Sequence, residues 1–164
     1  MIVMGIDPGS KYTGIGIVRK HGSRIIYKHH HLVDLYKVKG HTAKCAIIHH
    51  RIKELINEYQ PDLIAIETPF HSKFVKTTIV LGMMRGAIFS GIGSTIVKGK
   101  RPEIVDLSPA QIKKTVTRTG RAKKWLVENF VKLLLGSEHF DESTRDDIYD
   151  ALAIAIAGAQ SEIK

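Results

Sequence analysis

The chain has 164 residues, 43% of them hydrophobic, and 25 Lys and Arg against 16 Asp and Glu, for a net charge of +9. That length suits one domain, 1–164, with a substantial core. The single Cys45 excludes an internal disulfide, the opening apolar run is too short for a signal peptide, and no run reaches the roughly 18 apolar residues of a membrane span, so the reading is a soluble cytoplasmic protein with no membrane partner.

Ile2-Val3-Met4-Gly5-Ile6 reads as a buried strand that ends at Asp7, and Pro8-Gly9-Ser10 makes a tight turn. Gly14-Ile15-Gly16-Ile17-Val18 returns beside it as a hairpin, and Arg24 to Val33 continues as a third strand. His29-His30-His31 lies inside that strand; consecutive residues point to alternate faces, so the three cannot ligate one metal together. Thr42 to Tyr59 is an amphipathic helix with Ala46, Ile47, Leu55 and Ile56 as its apolar positions. Leu63-Ile64-Ala65-Ile66 is a sheet-interior strand ending in Glu67.

Thr77 to Ile92 is a second helix, apolar enough to be largely buried, with Gly82, Gly86 and Gly91 allowing close packing. Ile104 to Leu107 is a fifth strand, and Ser108-Pro109 supplies the N-cap and first residue of the next helix. A helix from Arg121 to Leu135 has Trp125, Leu126, Phe130, Leu133 and Leu134 as its core face. The last helix starts with Ser143 capping and Asp146 three residues on, and runs through Asp147 and Asp150 into small and apolar residues. The order βββαβαβααα implies an α/β fold whose five-stranded mixed sheet joins an antiparallel hairpin to parallel strands.

Two acids, Asp7 and Glu67, end buried strands, where an unpaired carboxylate is costly. Asp147 and Asp150 stand at i and i+3 on one side of a helix, where like charges repel unless a cation lies between them. Hard oxygen donors without a Cys or His motif select Mg²⁺ or Mn²⁺. Two such ions about 4 Å apart suit in-line phosphoryl displacement. The charge is also uneven. Between His71 and Lys124 there are 12 Lys and Arg but only two acids, Glu103 and Asp106; the rest of the chain has 13 basic and 14 acidic residues. One contiguous third thus carries the excess, which is the footprint of a polyanion-binding surface.

These residues resemble one family. Gly5-Ile6-Asp7-Pro8-Gly9-Ser10 with Thr13-Gly14-Ile15-Gly16, Ile66-Glu67 followed by Phe70, Gly82-x-x-Arg85-Gly86, Lys113-Lys114-Thr115-Val116 leading to Gly120-x-Ala122-x-Lys124, and Asp147-x-x-Asp150-Ala151-Leu152-Ala153 are similar, in order and over nearly the whole chain, to the RuvC Holliday-junction resolvases. The resemblance implies an RNase H-like fold, a homodimer with two active sites, and paired nicking of four-way DNA junctions in recombination and repair, alone or with a branch-migration helicase. It makes Asp7, Glu67, Asp147 and Asp150 the ligands of Mg²⁺ or Mn²⁺, two ions per site, with Lys124 beside the scissile phosphate. The expected DNA contacts are Phe70, which would stack on a base, Lys73, Phe74, Lys76, Arg85, Lys113, Lys114, Arg118, Arg121 and Lys123. The chain departs from the family pattern at Met83-Met84, at Arg118 where Gly is usual, and at His71-Ser72-Lys73-Phe74, all away from the acids.

Other classes fit less well. Asp7-x-Gly9-x-x-x-x-Gly14 also reads like the first phosphate loop of an actin-type or sugar-kinase ATPase, but those proteins close two such domains on the nucleotide. The Asp147-x-x-Asp150-Ala-Leu-Ala ending argues against an RNA-acting nuclease of the YqgF type. A broader branched-DNA nuclease that cuts flaps and forks keeps the same site. A non-cleaving junction-binding module would have no use for four acids that repel DNA.

Overall fold

The structure, a computed structural model, describes residues 1–68 and 75–161. Its elements are β1 (Ile2–Asp7), β2 (Tyr12–His21), β3 (Arg24–Asp34), α1 (His41–Tyr59), β4 (Leu63–Glu67), α2 (Val75–Gly93), β5 (Glu103–Leu107), α3 (Pro109–Thr117), α4 (Lys124–Leu135), a 3₁₀ turn (Ser137–His139) and α5 (Asp146–Gln160). One sheet has the order β3-β2-β1-β4-β5. The β1–β2 and β2–β3 pairs are antiparallel, and β4 pairs in parallel with both β1 and β5. This is the mixed sheet expected from the sequence, with β1 at its centre.

The two-residue period of the strands divides the core. Met4 and Ile6, Ile15 and Ile17, and Ile64 and Ile66 pack on one face with Ile48, Ile52 and Ile56 of α1 and Met84 and Ile88 of α2. Val3, Leu63 and Ala65 face the other way, toward Ile112 of α3, Val131 of α4 and Leu152 and Ile156 of α5. Gly5 lies under α5: a Cβ there would come within 2.2 Å of the Ala151 carbonyl oxygen. Only a glycine lets the helix backbone settle this close to the sheet.

Several faces differ from the sequence reading. In α1 the buried residues are Ile48, Ile52, Leu55 and Ile56, whereas Ile47 is exposed. In α4 the buried face is Val127, Val131 and Leu135; Trp125, Leu133 and Leu134 point outward, with Leu126 and Phe130 partly buried. The apolar side of α4 is wider than the strip it buries, so the position of α5 and the sheet selects which row is covered. The helix also begins at Lys124 rather than Arg121. In α2 the expected burial holds for one face only, since Val75, Ile79, Met83 and Phe89 are exposed. By length and composition α2 is apolar enough to cross a membrane, but its inner face packs on α1 and the sheet. Gly91 meets α1 closely, whereas Gly82 and Gly86 face open space. Ser143 does not cap α5: the N-cap is Arg145, and Ser143 instead donates to Asp141 at 2.7 Å.

The histidines lie on the edge strand β3 and, as expected, divide between its faces. His29 stacks on Tyr59 with centroids 5.1 Å apart, and His30 on Phe140 at 6.0 Å. Burial holds the imidazoles of His29, His30 and His31 below their ordinary range. Their role is packing at the sheet edge.

Candidate active site at the end of the sheet

Strand parity aims the first two acids. Asp7 follows Val3 and Gly5 on the α5 side of β1, and Glu67 follows Leu63 and Ala65 on the same side of the adjacent parallel strand, where Ile6 pairs with Ile66. The first turn of α5 brings Asp147 and Asp150 to that end of the sheet. It comes so near β2 that a Cβ on Gly14, the cross-strand partner of Asp7, would lie 1.9 Å from the Asp147 carbonyl oxygen. The four predicted acids therefore gather at one edge.

Their mutual charge is felt most by Asp7. Burial first, and then the charges of Asp150, Glu67 and Asp147, push its carboxyl up to about 7, with Lys124 opposing. Burial and Asp150 likewise raise Glu67, and burial raises Asp150 despite its hydrogen bond from Lys124. Lys124 Nζ lies 2.8 Å from Asp150 and 3.5 Å from Asp146. Burial disfavours its charge, but the bonds and charges of Asp150 and Asp146 hold it above the ordinary lysine range. Asp146, read from sequence as part of a capping box, thus faces Lys124 instead. Beside these groups opens a cavity of about 220 Å³ lined by Glu67, Ile112, Lys113, Lys124, Val127 and Asp150, among others.

The turn that carries Asp7 is tightly held. Thr13 is buried, donates its hydroxyl to the Gly9 carbonyl at 3.0 Å and accepts from the Gly9 N–H. Lys44 of α1 donates to the Ser10 carbonyl at 2.7 Å. Glu67 is anchored through its backbone: Arg85 Nη1 donates to the Glu67 carbonyl at 2.8 Å and Nη2 pairs with Asp106. With only 12% of its side chain exposed, Arg85 is an anchor for the end of β4 rather than the free DNA-facing cation expected. Sequence reasoning missed Thr13, Lys44 and Arg145, whose Nε lies 3.1 Å from Asp147. Its position directly before the acidic pair was the available signal.

The other expected contacts spread around this edge. Lys113 lines the cavity, and its charge opposes the rise of the Glu67 carboxyl without cancelling it. Lys114, Arg118, Arg121 and Lys123 are exposed on α3 and the loop to α4, and Lys76 is exposed at the start of α2. Arg118 occupies the left-handed region at φ 63° as the C-cap of α3, a conformation that glycine adopts most readily. Phe70, Lys73 and Phe74 lie outside the described residues.

The donor set suits a hard divalent cation. Among the described residues no ion pair reaches Asp7 or Glu67; the two cations that do enter the set, Lys124 and Arg145, sit on Asp150 and Asp147. No three acidic, His or Cys side chains among the described residues close into a preformed cage. An open set of carboxylates is what Mg²⁺ requires when water and substrate phosphate complete its octahedron. Asp7, Glu67, Asp147 and Asp150 are the residues that could hold it.

Comparison with known proteins gives one consistent result. The family model described as "Crossover junction endodeoxyribonuclease RuvC" matches residues 3–158. The chain is 33% identical over 163 residues to the protein of that name from Geotalea uraniireducens, covering 99% of this chain and 91% of the relative. It is 35% identical over 161 residues to that from Trichlorobacter lovleyi, covering 98% and 86%. Among solved structures, T. thermophilus RuvC in complex with a Holliday junction substrate superposes with a TM-score of 0.83 at 27% identity, covering 96% of this chain and 92% of that one.

Proposed function

Because the chain belongs to the RuvC family of crossover junction endodeoxyribonucleases, we propose that it resolves four-way DNA junctions by hydrolysing one phosphodiester on each of two opposed strands at the carboxylate edge. The observation that carries this reading is the meeting of Asp7 and Glu67, from adjacent parallel strands, with Asp147 and Asp150 of α5 next to Lys124. The fold is RNase H-like and the enzyme is a nuclease.

In this reading Asp7, Glu67, Asp147 and Asp150 would hold two Mg²⁺ or Mn²⁺ ions, whose charge would relieve the repulsion among the four acids. When bound, such cations supply Lewis-acid polarisation of the phosphoryl group and a water of lowered pKa. Lys124, 55% exposed, turns from Asp150 to a non-bridging oxygen of the scissile phosphate, where its charge stabilises the negative charge that develops. Lys113, which also lines the cavity, holds the neighbouring backbone. Glu67 keeps its position through the Arg85 anchor, and Asp7 through the Thr13 and Lys44 clamps on its turn.

Two opposed cuts need two sites, and we assign the second to another copy of the chain. The exposed row Val75, Ile79 and Met83 on α2 is the surface this homodimer would bury. The same reading puts the enzyme in the cytoplasm, a reducing compartment that a chain with a single cysteine suits.

The test is cleavage of a labelled mobile four-way junction beside linear duplex in Mg²⁺, Mn²⁺ or EDTA, comparing the parent with Asp7→Asn. Paired symmetric nicks that need metal and vanish in the variant support the reading. Equal cutting of flaps and forks would broaden the substrate class. Cleavage by Asp7→Asn at the parental rate would place the chemistry elsewhere.

A further inference from the structure

The lysines of α3 and α4 border one side of the acidic edge. The other side is formed by residues to which the reading above gives no role. Lys11 and Tyr12 lie at the corner between β1 and β2, and Tyr36 follows β3. The Leu35 N–H donates to the Lys11 carbonyl at 2.8 Å, and the Tyr36 N–H to Asp34 Oδ1 at 2.9 Å. These bonds hold the Tyr12 and Tyr36 rings parallel within 3°, with centroids 6.1 Å apart. The Arg145 guanidinium lies 3.7 Å from the Tyr12 ring centroid while also pairing with Asp147, and Lys11 Nζ lies 5.8 Å from that of Tyr36. Tyr36 remains 59% exposed. From residue 35 to residue 53 the chain has five Lys and Arg and no acid.

An exposed aromatic ring between cations, joined through Arg145 to an active-site acid, has the make-up of a platform for single-stranded nucleic acid. Stacking on such a ring tolerates any base, and the flanking cations meet the phosphates. Distance fits as well. Strand β3 is two strands from β1, about 10 Å at ~4.8 Å per strand. At ~3.4 Å per nucleotide in a stacked strand, a base over Tyr36 would lie within about three nucleotides of a phosphate at Asp7.

We propose that Tyr12 and Tyr36, with Lys11 and Arg145, form a second DNA-contact surface, on which Tyr36 stacks with an unpaired base of the cleaved strand close to the scissile phosphate. The surface holds that strand on the side opposite Lys113 and Lys124, so the phosphate is fixed from both directions. Arg145 links the two functions, since a phosphate that draws it away from Asp147 frees that carboxylate for a cation. This inference rests on the nuclease reading.

The test uses the full chain and a junction carrying 2-aminopurine at each of the three nucleotides on either side of the cleavage point. Tyr36→Leu keeps an apolar side chain but loses the π-face, and Tyr36→Trp enlarges it. Tyr36→Leu should weaken junction binding about tenfold, within the roughly 5- to 150-fold expected for one stacked base, and change the fluorescence at one position. Tyr36→Trp should bind at least as tightly as the parent. The Leu variant loses no charge, so the salt dependence of its binding should stay parallel to the parent's, whereas Lys11→Ala should make the slope shallower by about 0.7, the value for one single-strand phosphate contact. A Tyr36→Leu protein that binds and quenches like a cleaving parent overturns the platform and leaves the nuclease intact. A parent that neither binds nor cuts the junction overturns the underlying reading, and the platform with it. If Tyr36→Leu loses a protein partner but keeps parental junction binding, the ledge is a protein-docking surface and the proposal fails.

Discussion

Replacing Asp7 by Asn should inactivate the enzyme and at the same time make the metal-free protein more stable. A carboxyl that ordinarily titrates near 3.8 is pushed up to about 7 by burial and by Asp150, Glu67 and Asp147. At ~1.36 kcal/mol per pH unit, holding it ionised above pH 7 costs the fold roughly 4 kcal/mol. The sign follows from proton binding. The unfolded chain releases this proton near 3.8 and the folded chain near 7. Between those values the folded state binds more protons, so the contribution of this group to stability falls as pH rises through the window and stays at its lowest above it. An amide has no charge to desolvate but keeps the need for hydrogen bonds, so about 2–4 kcal/mol should be recovered at pH 8. Urea denaturation in EDTA at pH 8 and pH 4.5 measures it: the variant should be the more stable at pH 8, with the gap closing at pH 4.5. Mg²⁺ should then stabilise the parent more than the variant, because only a state that binds ligand gains from it. An Asp7→Asn protein no more stable than the parent at pH 8 would refute the account of the acids as a mutually repelling set.

Three further outcomes test other joints of the structure. Gly14→Ala should lose several kcal/mol of stability and most activity, since its Cβ would fall 1.9 Å from the Asp147 carbonyl oxygen and lift the end of α5 that carries two acids; thermal melts and single-turnover cleavage read the two effects. Arg118→Gly should raise stability by about 0.5–1 kcal/mol in urea titrations, because φ 63° favours glycine, while removing one exposed charge that could serve DNA. Ile79→Glu, on the exposed row of α2, should shift the protein toward monomer in analytical ultracentrifugation with an unchanged melting temperature; a parent already monomeric at assay concentrations would remove α2 as the interface.

The helix faces show where sequence reading stopped. Amphipathicity indicated the C-terminal half of the buried stripe of α1, at Leu55 and Ile56, but missed Ile48 and Ile52. In α4 the residues chosen as core were mainly the exposed ones. An apolar side wider than the contact it makes does not say which of its rows is inner, because that is decided by whatever packs against it. For the same reason composition alone made α2 look buried, when the row Val75, Ile79 and Met83 is exposed. Arg85 was read as a cation for DNA from the Gly82-x-x-Arg85-Gly86 motif; its partners, Asp106 and the Glu67 carbonyl, are distant in sequence and meet it only in space.

What the sequence by itself determined was the set of strands, their mixed pairing and the four acids. Strand signals are local, and a carboxylate that ends an apolar run can be recognised without any neighbour. What only the tertiary structure decided was convergence. The two-residue alternation of β1 and β4 turns Asp7 and Glu67 to one face, but it takes the glycine floor at Gly5 and Gly14 to let α5 descend and bring Asp147 and Asp150 against them. The same packing sets Lys124 on Asp150 and Arg145 between Asp147 and Tyr12. These contacts join segments from 26 to about 140 residues apart, or arise from side-chain direction within a turn, and neither is written in the spacing of residue types along the chain.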